Sequence, residues 1–84
     1  MGRANRDDQG VVEAIRMAME SAGVKVGFPI SVETVNEDGK LDAAYGTPFR
    51  GLAGNAFRTG VGSYEVDRVK TIRVNGRGII YERK

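Results

Sequence analysis

The chain has 84 residues, 40% hydrophobic and 29% charged, with 12 Gly and no Cys, His or Trp; it suffices for one small domain, which buries only about 60% of the surface its unfolded chain exposes, so self-association is expected. Without Cys and His there are no disulfides, no thiolate or imidazole chemistry, no zinc cluster and no ordinary transition-metal site, which puts a non-enzymatic binding role first. The net charge of +2 conceals a division: residues up to Phe49 carry five bases and eight acids, and those from Arg50 onward eight bases and three acids, or −3 against +5.

Residues 1–7 read as a short polar arm and residues 8–84 as a single domain. From Asp8 to Ala22 the spacing of Val11, Val12, Ile15, Ala18, Met19 and Ala22 predicts an amphipathic helix. Asn5, Asp7 or Asp8 is placed to cap its start, and Gly23 fits the position just past its end. Met17 lies off the apolar stripe, where it marks a second, intermolecular contact. After Gly23 the period becomes two. Val24, Val26, Phe28, Ile30 and Val32 alternate with outward residues and predict one long half-buried strand, bent at Gly27 and locally an edge at Pro29, which has no N–H to donate. Val35 falls out of phase, and Asn36 to Gly39 form a turn on the Asp38-Gly39 pair.

A second strand starts at Lys40 with Leu41, Ala43 and Tyr45 in phase. Gly46-Thr47-Pro48 interrupts it, and Phe49 to Leu52 is a further extended piece. Between Ala53 and Gly62 only Phe57 offers a large apolar anchor, and no element is assigned. Ser63 to Val66, Val69 to Val74 and Ile79 to Arg83 read as strands, the last two joined by the hairpin dipeptide Asn75-Gly76. The fold class expected is α+β, mostly β: an N-terminal helix followed by a small, strongly bent, five-stranded barrel of the Sm or SH3-like kind, with the helix over one open end. No stretch approaches the roughly 20 apolar residues of a membrane span, and the N-terminus has no signal-peptide core, so a cytoplasmic location without membrane contact is expected.

The glycines of Gly60-Val61-Gly62-Ser63 invite a phosphate-loop reading, but no Lys-Ser or Lys-Thr pair follows and the next element is a strand, so a hairpin loop is the better account. Asp7-Asp8 and Glu37-Asp38 sit at a helix start and in a turn, where solvated acids belong. No third ligand joins either pair, and no metal, cofactor or catalytic residue is expected. Phe28, Tyr45 and Tyr64 are in phase with buried strand faces and read as core. Phe49 and Phe57 each precede an arginine, Arg50 and Arg58. On a barrel rim such a pair stacks a base and contacts its phosphate; the other reading buries the ring and leaves the guanidinium in water. Lys70, Arg73, Arg77 and Arg83 on the last hairpin fit either an anion-binding face or plain solubility. The division of charge is open in the same way, to an anion-seeking face or to neutralisation between the halves.

The run Tyr64-Glu65-Val66-Asp67-Arg68-Val69, continuing Lys70-Thr71-Ile72-Arg73-Val74, resembles the strand ending that closes WYL domains, Sm-like barrels of bacterial transcription regulators and defence-associated proteins. Val12-Glu13-Ala14-Ile15 and the alternating strand resemble their entry, and Thr47-Pro48-Phe49 with Leu52 their proline-containing strand. Ala56-Phe57-Arg58 stands in the place of the Trp-Tyr-Leu triplet, and Glu65 where the family presents an arginine. The resemblance implies a barrel that senses nucleic acid or a nucleotide. The expected function is a regulatory module binding single-stranded nucleic acid or a nucleotide-like anion through Arg50, Phe57, Arg58, Arg68, Lys70, Arg73 and Arg77, as a homo-oligomer. The alternative is a protein–protein adaptor or inhibitor, of the kind that phages and mobile elements use to block a host factor, working through the edge at Pro29 and the helix stripe.

Overall fold

The computed structural model describes residues 2–83, with the side chains of residues 10–83. Helix α1 spans Gly2–Ala22, so the backbone of the stretch read as an arm is helical too; the expected caps Asn5, Asp7 and Asp8 lie outside the residues whose side chains are described. Val12, Ile15 and Met19 are buried as the stripe predicts. The helix ends in a Schellman turn. The Gly23 N–H donates to the Glu20 carbonyl at 3.1 Å and the Val24 N–H to the Met19 carbonyl at 2.9 Å, with Gly23 at φ +73°, a conformation glycine adopts without a Cβ penalty.

Six strands follow: β1 (Pro29–Val35), β2 (Leu41–Ala53), β3 (Ala56–Thr59), β4 (Gly62–Glu65), then a 3-10 turn (Val66–Arg68), β5 (Val69–Val74) and β6 (Gly78–Glu82). They form one sheet in the order β4-β3-β2-β1-β5-β6, and neighbouring strands run antiparallel. This corrects the expected barrel in two respects. There are six strands rather than five, and among the described residues β4 and β6 remain separate edges, so the sheet curves without closing. The additional strand is β3, which forms where the sequence signal is weakest, while the pieces from Leu41 to Tyr45 and from Phe49 to Leu52 belong to one long bulged strand.

The first predicted strand is also shorter at its start. Val26 and Gly27 form a turn in which the Phe28 N–H donates to the Lys25 carbonyl at 3.0 Å. Phe28 is 43% exposed instead of core. The edge expected at Pro29 is absent, because β1 lies between β2 and β5. Pro29 is its first residue, opposite Pro48, a place where a missing N–H is tolerated.

Along β2 the core phase is the reverse of the one expected. Ile30 pairs with Thr47 but Val32 with Ala44, so an extra residue is accommodated at Tyr45-Gly46. Gly46, at φ +66°, supplies the left-handed conformation such a bulge needs. Ala44, Thr47 and Phe49 consequently turn inward, and Leu41, Ala43 and Tyr45 turn outward. The core gathers Ile15, Ile30, Val32, Phe57, Val66, Val69 and Ile72, all sealed from solvent, with the rings of Phe49 and Phe57 5.4 Å apart and tilted by 36°. Among the described residues, no helix is long and apolar enough to cross a membrane.

Candidate functional site

The seven residues singled out in the sequence fall in four places. Arg50 is the bulged residue of β2 between Phe49 and Gly51, and Arg58 lies opposite Gly51 on one side and Ser63 on the other. Both are exposed, and their small neighbours leave the Arg58 side chain uncovered. Phe57 is a correction. It is 0% exposed and stacked into the core against Phe49, because β3 alternates strictly and sends Phe57 and Thr59 inward while Arg58 points out. A ring with no accessible face cannot stack a ligand, so of the two readings of the Phe-Arg pairs the buried one holds for both rings.

Arg68 ends the 3-10 turn and is partly spent on the fold. Its Nε donates to the Glu65 carboxylate at 3.4 Å and its Nη1 to the Val35 carbonyl at 3.3 Å. Lys70 lies next along the chain, exposed at a register shift in the β1–β5 pairing, and its carbonyl accepts from the Arg83 N–H at 2.8 Å. Arg68, Lys70 and Arg83 thereby converge on a groove of about 340 Å³, with Val35 and Val69 in its walls and Asp67 as the one acid. On β6, opposite Ile72, burial raises the Tyr81 pKa above its ordinary value of 10.0 while the Arg83 charge works in the opposite direction; the phenol is neutral at physiological pH.

Arg73 is exposed further along β5, opposite Ser31 on β1 and Ile79 on β6. It shares a second groove, of about 460 Å³, with Pro29, Ser31, Tyr45, Gly46 and Asn75. Arg77, in the β5–β6 turn, faces the helix instead, in a groove of about 510 Å³ with Met17, Ala14, Ala18 and Ile80. The structure thus brings Arg68 and Lys70 to one groove, places Arg50 next in the chain to Gly51, the register partner of Arg58, and puts Arg73 and Arg77 in two other grooves.

No ion pair joins the two halves among the described residues. Among the described residues the ion pairs are Glu13–Arg16 at 2.6 Å, within α1, and Glu65–Arg68 at 3.4 Å, from the end of β4 to the 3-10 turn, each between residues three apart in the chain. Arg50, Arg58, Lys70, Arg73, Arg77 and Arg83 have no carboxylate partner among the described residues, and their charge faces solvent. Both surfaces expected for an adaptor are occupied within the fold, since β1 is paired on each side and the helix stripe packs into the core. Arg83, open in the sequence to an anion-binding face or plain solubility, Asn75, which reads as a turn former, and Tyr45, which reads as core, all line grooves; the signal that exposes Tyr45 is Gly46 beside it, a bulge residue in the middle of an alternating strand. No family model, curated protein or solved structure matches the chain.

Proposed function

We propose that this chain is a non-enzymatic module that binds single-stranded nucleic acid or a nucleotide-like anion in a regulatory role, with the groove of Arg68, Lys70 and Arg83 as its principal phosphate contact. The observation that carries this reading is the convergence of three cations on one groove that holds a single acid, with Lys70 and Arg83 free of ion pairs among the described residues. Three positive groups beside apolar walls concentrate an anion more effectively than the same charges scattered in water. The resemblance to WYL domains adds to this reading only at the level of an N-terminal helix with a mostly antiparallel β sheet, which here stays open and carries β6 as an outer strand. Asp67-Arg68 then contributes to the groove itself.

The test is fluorescence anisotropy with labelled single-stranded DNA and RNA over a range of salt. Log affinity is expected to fall linearly with log salt, with a slope of about −2 for three phosphate contacts on a single strand. Lys70→Glu and Arg83→Glu should each weaken binding and flatten the slope by about 0.7. A flat salt dependence, or no retention of any oligonucleotide at low salt, rejects the reading.

A second reading, a protein–protein adaptor, draws on Leu41, Tyr45 and Ile79, large apolar side chains left exposed by the outward strand phase. A partner retained after nuclease treatment and lost on Leu41→Asp favours it.

A further inference from the structure

We propose that Tyr45 and Arg73 form a nucleobase subsite on the outer face of the sheet, in which the tyrosine ring stacks a base and the guanidinium holds the adjoining phosphate. The inference rests on the nucleic-acid reading above and specifies where a base, rather than only a backbone, is held.

Tyr45 is 78% exposed, and no hydrogen bond or ring contact engages it among the described residues. A large aromatic side chain on a strand is stabilising when it is covered, and here nothing covers it. Its position follows from the bulge. Because Ile30 pairs with Thr47 and Val32 with Ala44, Tyr45 and Gly46 both lie opposite Ser31, and the Gly46 N–H donates to the Ser31 hydroxyl at 3.4 Å. Ser31 is in turn opposite Arg73. Tyr45, Ser31 and Arg73 therefore form a row across β2, β1 and β5, two strand spacings or about 10 Å from end to end.

The middle of that row is low. Serine and glycine place nothing tall between the ring and the guanidinium, and the result is the groove of about 460 Å³, within the roughly 300–1,000 Å³ typical of small-ligand sites. Asn75, at the end of β5, adds an amide that both donates and accepts, suited to the edge of a base. The nearest acid in the next row, Glu33, accepts a hydrogen bond from the Thr71 hydroxyl at 2.7 Å. Arg73 has neither an ion pair nor a cation–π contact among the described residues. Ring, cation and amide thus stand around one trough with their binding capacity unused. Stacking accepts any base, so the ligand class is a flexible single strand with accessible bases.

The experiment compares two labelled ten-nucleotide strands of equal charge, oligo-dT and an abasic strand of the same length, by anisotropy at fixed salt. The wild-type chain is expected to prefer oligo-dT. Tyr45→Ala should lower oligo-dT affinity about 5- to 150-fold, the range for losing one stacked base, to the level of the abasic strand. Tyr45→Phe should retain the preference, and the salt slope should not change in either variant. Arg73→Gln should weaken both strands and flatten the slope. Equal affinity of the wild-type chain for the two strands, a comparison that needs no variant to fold, overturns the subsite while leaving phosphate binding intact. So does an unchanged oligo-dT affinity in Tyr45→Ala with its circular dichroism preserved. Failure of the wild-type chain to bind either strand overturns the subsite together with the reading it rests on.

Discussion

Gly60 shows how tightly single atoms are placed where the β3–β4 turn meets β2. Its N–H donates to the Pro48 carbonyl at 2.9 Å, and a Cβ on it would stand 2.6 and 2.7 Å from Cγ and Cδ of Pro48 and 3.2 Å from the Thr47 hydroxyl. A proline ring cannot rotate out of the way as a long side chain does. Gly60→Ala is therefore expected to destabilise the fold by about 1–3 kcal/mol, the usual cost of forcing a methyl group into a packed contact. Gly10, inside α1, meets nothing within 4 Å of an added Cβ, and Gly10→Ala should stabilise by up to about 1 kcal/mol through helix propensity alone. Urea denaturation midpoints measure both. A Gly60→Ala midpoint equal to or above the parent's would mean that packing at Pro48 does not set the cost. The Thr47 hydroxyl in the same contact is buried without a hydrogen-bond partner among the described residues, so this corner tolerates a polar group for the sake of its shape.

At the scale of elements, the contrast between Phe57 and Arg58 tests what β3 contributes. Phe57→Ala opens a cavity against Phe49 and is expected to cost about 3–5 kcal/mol, a large part of the 5–15 kcal/mol typical of a whole domain. Arg58→Ala, on the exposed face, should stay within about 0.5 kcal/mol. Thermal or urea unfolding of the two variants gives the comparison, and a mild Phe57→Ala would show that the ring is not the anchor its burial indicates. The helix, the β1–β2 and β5–β6 turns and β5 could be read from the chain because their signals are local: a 3.6 period, Asp38-Gly39, Asn75-Gly76, and Ile72 in phase with Val74. The phase of β2 could not. Period two says that alternate residues share a face, not which face is inward, and one bulge at Gly46 reverses the answer. The same limit governs the rings: Tyr45, which the alternation places in the core, lies outside, and Phe57, which the sequence leaves open to a ligand, lies inside, whereas Arg50, Arg58, Lys70, Arg73 and Arg77 are exposed and Arg68 is half-buried, as the cost of burying a charge requires.

At the scale of the molecule, the proposed binding would draw on forces other than those that fold the chain. The radius of gyration is 11.9 Å, close to the roughly 12 Å expected for a compact chain of this length, and the compaction comes from a helix and one face of a sheet closing over apolar side chains. The ion pairs contribute little. Glu13–Arg16 and Glu65–Arg68 are exposed and local, and such pairs supply about 0.2–1 kcal/mol each. Raising salt from about 0.1 to 1 M shortens the screening length from roughly 10 to 3 Å and should therefore change stability by less than about 1 kcal/mol, or under roughly 8 °C in Tm for a domain of this size. Over the same tenfold range, oligonucleotide affinity should fall about 100-fold if the slope is near −2. Thermal melts and anisotropy on one set of samples separate the two responses. A Tm shift well above 10 °C would mean that Lys70, Arg73 and Arg83 are coupled electrostatically to the fold, and that their freedom from ion pairs does not leave them available to a ligand. Stability that holds while affinity collapses is the behaviour of a domain held together by its apolar face and using its charged face for something else.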